Sequence, residues 1–132
     1  MSNIKQPPAV PLQGLLKLLP LNKKTQWKKL AVANLDEIRF IPFDEIMYCK
    51  SINNYTTVFV QNGKSYLCCK TLKETASGLP DNQFVRIHHS YLVNIQYITS
   101  LKKNDNALEL NNTISLPISR TQKKSLHYLL GV

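Results

Sequence analysis

Phe84-Val85-Arg86-Ile87-His88-His89-Ser90-Tyr91-Leu92-Val93-Asn94 is the stretch on which the reading of this chain turns. A basic cluster, Arg86 with His88 and His89, abuts an apolar, strand-like run, Tyr91-Leu92-Val93. Ser90 and Asn94 bracket that run with hydrogen-bonding groups. A core strand ending in cations and donors holds them rigidly at a surface, as a sequence-reading contact to a nucleic acid requires. The plainer alternative is a strand whose end is simply solvated, and this segment alone does not decide between them.

Outward from it, the pattern stays β-rich. Residues 30–33 and 38–42 read as strands around a turn at 34–37, and 46–48 is another apolar run. Residues 56–60 are β-branched and aromatic, hence strand. Asn62-Gly63 is the strongest short hairpin signal, because both residues tolerate positive φ. Residues 65–70 supply its partner strand. Thr71 and Glu74 fit a capping box opening a short helix that stops before Pro80. Strands return at 85–87, 91–93, 98–102, 107–110 and 114–118, with Asn111-Asn112 as a second hairpin turn. Ser119 and Gln122 fit another capping box. The helix they open runs to about Leu130, with Leu126, Leu129 and Leu130 on one side and Lys123 and Lys124 on another. The expected fold is mainly β, α+β by count, of short and mostly antiparallel strands with two or three short helices.

The 132 residues fit one domain, and a 43% hydrophobic fraction supplies a modest core. Residues 1–29 read as a proline-bearing, basic linker and 30–132 as the folded domain. Within the linker, residues 12–19 have the length of two helical turns and need something to pack on. Trp27 reads as an anchor to the core rather than a base-stacking residue. Seventeen Lys and Arg against eight Asp and Glu give a net charge of +9, concentrated in residues 1–34, which hold six lysines and no acid. Such an excess favours polyanions in a salt-sensitive way. Leu15-Leu16-Lys17-Leu18-Leu19 is far shorter than the ~20 apolar residues of a membrane span, so no membrane partner is expected. Cys49, Cys68 and Cys69 are odd in number, two of them adjacent, which argues against a disulfide framework and for packed, inert, reduced thiols in the cytoplasm. No Cys or His spacing suits zinc.

Catalysis is poorly supported. On extended backbone the side chains of His88 and His89 should diverge and cannot flank one bond. Ser90 lacks a nucleophile-elbow context and an orienting acid, and no phosphate loop or dinucleotide fingerprint occurs. No cofactor is expected. Nucleic-acid binding fits better. Asn54 and Tyr55 offer an amide and a phenol, and Arg120 a guanidinium that forks onto a guanine edge. Lys123, near the start of the helix opened by Ser119, opposes its dipole, so a phosphate contact explains it better than stability does. A solvated helix face is the plain alternative for Lys123 and Lys124.

At this point the residues resemble a known family. Phe84 to Asn94 is similar, nearly residue for residue, to the F-x-R-I-H-R-S-Y-L-V-N segment of LytTR-type DNA-binding domains, output modules of many bacterial two-component response regulators. Three further segments match in order: Ile46-Met47-Tyr48 with Asn54-Tyr55-Thr56, Lys70 to Glu74 with Leu79-Pro80, and Leu116 to Arg120 with Lys123. The resemblance spans about residues 30–130. It implies an elongated β fold whose loops enter the major grooves of double-stranded DNA. Carried over by position, it implies contacts from Asn54, Tyr55, His89, Arg120 and Lys123, with His88 and Ser90 in support. Tyr91, Leu92 and Val93 fall in the core. It also implies pairing on repeated half-sites, a receiver domain upstream in a longer protein, and a sensor histidine kinase acting on that receiver. Residues 1–29 resemble the linker before such a domain, so the chain is expected to be cut from a longer regulator. Two positions depart from the family: His89 stands where Arg is frequent, with one donor in place of five, and Lys50 where Glu is frequent. The alternative is a non-catalytic RNA- or protein-interaction module; RNA binders expose aromatics on a sheet face, whereas most aromatics here alternate with apolar neighbours and are expected to be buried.

Overall fold

The computed structural model describes residues 27–132, so the expectations for the proline-bearing linker and for residues 12–19 lie outside the described residues. The elements run β1 (Lys29–Ala33), β2 (Ile38–Pro42), β3 (Ile46–Ile52), β4 (Tyr55–Val60), β5 (Ser65–Cys68), α1 (Leu72–Ala76), β6 (Phe84–His88), β7 (Tyr91–Asn94), β8 (Ile98–Lys102), β9 (Ala107–Leu110), β10 (Ile114–Pro117) and α2 (Arg120–Leu130). The fold is mainly antiparallel β, as expected.

Three sheets form. β1 and β2 make a two-stranded ribbon, β8 to β10 a three-stranded meander, and the central sheet has the order β5-β4-β3-β7-β6. Both faces of this central sheet are covered. Ile46, Cys49, Val58, Val60, Phe84 and Leu92 pack with Leu30, Val32 and Ile41 of the ribbon and with Leu72 of α1. On the opposite face Met47, Ile87 and Val93 pack with Leu108, Leu110 and Leu116 of the meander and with Leu126 of α2. Double coverage explains why Leu92-Val93 reads as a continuous apolar run: neighbours point to opposite faces, and each face has its own core.

Local chemistry sets the connections. Asn53, with φ 57°, makes a two-residue turn that closes the β3–β4 hairpin at the Ile52–Tyr55 pair. In the Asn62-Gly63 turn only Gly63 takes positive φ, 88°; Asn62 instead accepts the Lys64 N–H at 2.9 Å. Asn111 and Asn112 both take positive φ, 53° and 60°, as a tight β9–β10 hairpin needs. The first capping box forms in full: Glu74 N–H donates to the Thr71 hydroxyl at 3.1 Å, and Thr71 N–H donates to Glu74 at 2.9 Å. Those Thr71 donors, the backbone N–H foremost, hold the Glu74 carboxyl below its ordinary range. The second box does not form. Ser119 makes no side-chain cap; its hydroxyl instead lies 3.2 Å from that of Thr121.

Three further expectations need correction. Asn94 is not a surface donor: it is fully buried, at the end of β7 remote from the His89-Ser90 turn. Its Nδ2 donates to the carbonyls of Ile46 (2.9 Å) and Phe43 (3.3 Å), and its Oδ1 accepts Gln96 N–H at 3.0 Å. Trp27 is not anchored in the core; it is 56% exposed and meets the edge of Phe40, itself 51% exposed. Nor are all three thiols packed, because Cys69 is exposed. Cys49 is buried, and burial first, then Cys68 beside it, pushes its thiol up to about 12. It stays a protonated, apolar filler.

Asn94→Ala removes the amide donor to the Ile46 and Phe43 carbonyls, the second of which keeps the Ile46 N–H, and the acceptor of the Gln96 N–H. We expect a loss of about 2–3 kcal/mol in unfolding free energy, measured by urea denaturation. A loss under ~1 kcal/mol would show that those groups find other partners.

Candidate nucleic-acid interface

Strand register determines which side chains meet. In the pairing of β3 with β7, Lys50 stands opposite Tyr91, and Ser51 N–H donates to the Ser90 carbonyl at 2.8 Å. The Asn53-Asn54 turn and the His89-Ser90 turn therefore protrude from the same end of the central sheet. The meander brings in the third segment: Ser119 N–H donates to the Ile87 carbonyl at 2.8 Å, which starts α2 beside the end of β6. Segments around 54, 89 and 120, far apart in sequence, thus share one rim.

Exposure follows this placement. Asn54, Tyr55, His89, Arg120 and Lys123 are all exposed, Tyr55 at 48%, while His88 and Ser90 are half-buried. Leu92 and Val93 are core; Tyr91 is half-buried against the second core. Residues 50–56, 86–91 and 119–124 contain no acid. Asp44, Glu45 and Asp81 sit by the opposite end of the sheet, where β3 and β6 begin. The rim is therefore cationic with no local counter-charge from these segments.

His88 and His89 do not diverge. β6 ends at His88 and the chain turns at His89, so the extended-backbone argument fails there; the rings lie 4.3 Å apart, tilted by 31°. A register shift between Arg86 and His88 accompanies the turn. Ser90 N–H donates to His88 Nδ1 at 3.1 Å, which requires that nitrogen to be unprotonated. Partial burial, then the charges of His89 and Arg86, hold the His88 imidazole below its ordinary value.

Arg86 has a role that sequence reasoning missed. Its Nε donates to the His88 carbonyl at 2.9 Å and its Nη2 to the His89 carbonyl at 2.6 Å. The guanidinium is a strut across the base of the turn rather than a free contact. Its position two residues before the turn, on the same strand, was the available signal. On the neighbouring hairpin, the Thr56 hydroxyl donates to the Lys70 carbonyl at 2.9 Å, tying the end of β5 beside Tyr55. Lys50 Nζ lies 5.9 Å over the Tyr91 ring. No group of three metal-ligating side chains occurs among the described residues, and no described helix is long and apolar enough to cross a membrane.

Two outcomes follow from this turn. Arg86→Ala should cost about 1–3 kcal/mol and speed amide exchange at Ser90 and Tyr91 more than at Leu108, read by hydrogen-exchange NMR. Unchanged exchange at Ser90 would remove the strut. For His88, lowering of the folded-state value means that the unfolded chain takes up the proton first. Stability is therefore intact above the ordinary value of 6.5 and falls as pH drops below it, until the folded state also protonates. Thermal melts from neutral pH down to about pH 5 should show this loss, and His88→Gln should flatten it.

Comparisons with known proteins agree with this architecture. The family model of the LytTr DNA-binding domain matches residues 36–131. The sensory transduction protein LytT of Bacillus subtilis (strain 168) is 30% identical over 107 residues, 79% of this chain and 44% of that protein. The transcriptional regulatory protein BtsR of Salmonella typhi is 27% identical over 118 residues, 87% of this chain and 48% of that protein. The chain thus spans less than half the length of these relatives. Among solved structures, the LytTr DNA-binding domain of a putative methyl-accepting/DNA response regulator from Bacillus cereus superposes with a TM-score of 0.70 at 23% identity, covering 80% of this chain and 98% of that one. On the family match, and with the fold in agreement, the chain belongs to the LytTr DNA-binding domain family.

Proposed function

We propose that residues 30–132 form the sequence-specific DNA-binding output domain of a two-component response regulator that controls transcription, with residues 1–29 as the linker from an upstream receiver domain. A sensor histidine kinase would set the phosphorylation of that receiver, and the protein would work in the cytoplasm, pairing on repeated half-sites. The observation that carries the reading is the convergence of three sequence-distant, acid-free segments on one end of a rigid sheet. Arg120, His89, Asn54 and Tyr55 read base edges; Lys123 holds a phosphate; His88 and Ser90 shape the turn between them. His89 reads fewer acceptors than an arginine would, so Arg120 carries most of the discrimination.

A binding role is favoured over catalysis because His88 already uses Nδ1 to accept the Ser90 N–H, and no orienting acid lies in the three segments. RNA is disfavoured as the ligand. The expectation that most aromatics are buried is not met, since only Phe43 and Phe84 are buried and Trp27, Phe40, Tyr55 and Tyr128 are exposed. A stacking platform needs several free aromatics on one sheet face, and of the exposed ones only Tyr55 belongs to the three rim segments.

Fluorescence anisotropy with the operator enriched from a random duplex library, against a scrambled duplex, tests this. Arg120→Ala should lose about 1–3 kcal/mol on the operator and far less on the scrambled duplex. Equal losses on both would reduce Arg120 to a phosphate contact, and stronger competition by single-stranded RNA than by duplex would end the reading.

A further inference from the structure

We infer that the β8–β9 turn, through Lys102 and Lys103, is a fourth, sequence-independent phosphate-binding segment of the same surface, flanking the base-reading positions. The inference rests on the DNA-binding reading above and extends its footprint.

The argument begins at the two residues before α2. Ile118 and Ser119 are consecutive, and Ser119 is extended, with φ −75° and ψ 154°. Consecutive N–H groups on extended backbone point to opposite sides. Ser119 N–H donates to Ile87, beside the His88–Ser90 turn; Ile118 N–H donates at 2.8 Å to the carbonyl of Asn106, in the β8–β9 turn. The start of α2 is therefore held between two turns, one from each sheet layer. Register agrees: Pro117 stands opposite Ala107 and Lys102 opposite Ala107, so the tip at 103–106 extends past the sheet at the level of Ser119.

The turn is anchored as well as placed. Asn106 adopts φ 47°, a conformation that Asn tolerates, and its carbonyl is fixed by the bond from Ile118. Lys102 and Lys103 are exposed on it, and no ion pair to either lysine is recorded among the described residues. Lys50, on the central strand β3 between Thr57 of β4 and Tyr91 of β7, supplies a cation in the middle of the rim. The lysines of the β8–β9 turn thus extend this cationic surface beyond Arg120, and cations beside base-reading positions hold a duplex in register without reading its sequence. Asp105 is the opposing charge: beside a phosphate it repels, so its removal should strengthen binding.

The test is an anisotropy titration of the whole chain over a series of salt concentrations, on one duplex of arbitrary sequence and on the selected operator. The double substitution Lys102→Gln, Lys103→Gln should lower the salt slope by about 0.9 per lost phosphate contact, between one and two contacts in all, equally on both duplexes. Lys102→Arg with Lys103→Arg should keep the slope. Asp105→Asn should tighten binding to both. If the wild-type chain binds with a normal salt slope and the glutamine variant, folded by circular dichroism, keeps it, the fourth segment is refuted while the DNA-binding reading stands. If the wild-type chain binds no duplex at low salt, both are overturned.

Discussion

The pairing of β3 with β7 is the constraint on which everything else rests. It is the only ladder in the central sheet that joins the β3–β5 half to the β6–β7 half. Its register places Lys50 against Tyr91 and Cys49 against Leu92, and that choice alone sets the Asn53-Asn54 turn level with the His89-Ser90 turn. A one-residue slip would invert every side chain of one half, sending Leu92 and Val93 to the wrong cores. Asn94 supports the register chemically: its amide donates to the carbonyls of Phe43 and Ile46 at the end of the ladder remote from the rim. The placement of the exposed turns at one end thus depends on a buried amide at the other.

The division of labour at the rim is sharp. Arg86 and His88 hold the turn, the first through two carbonyls and the second through the Ser90 N–H. His89 is left exposed at its apex. A basic side chain used as a strut and one left exposed look identical in a sequence, and only the hydrogen bonds separate them. The same holds at α2, whose first turn carries Arg120 but no side-chain cap and no acid. Cations at that end work against the helix dipole. A helix start tuned only for stability would carry Asp or Glu there.

Much of the fold was legible because local signals coincided with global ones. Asn-Gly, Asn-Asn and Thr-x-x-Glu each specify a backbone conformation almost by themselves, and the β-branched run at 56–60 needed no tertiary information. Candidate site residues were legible through likeness to a family pattern. What escaped was whatever depends on a distant partner. Asn94 looked like a surface donor because nothing in its neighbours announces Phe43 and Ile46, some fifty residues earlier. Trp27 looked like an anchor because indoles usually are, yet the ribbon face it meets is itself half open to solvent. Ser119 had the right sequence for a capping box, but its backbone is engaged by Ile87 and its hydroxyl by Thr121.

α2 serves two layers at once: Leu126 closes the second core, while Arg120 stands on the rim. Neither the β3–β7 ladder nor the seat of this helix forms from local contacts, so both wait on closure of long loops. A partly unfolded domain therefore lacks part of the cationic rim, and the acid-free surface is assembled only when both cores have closed.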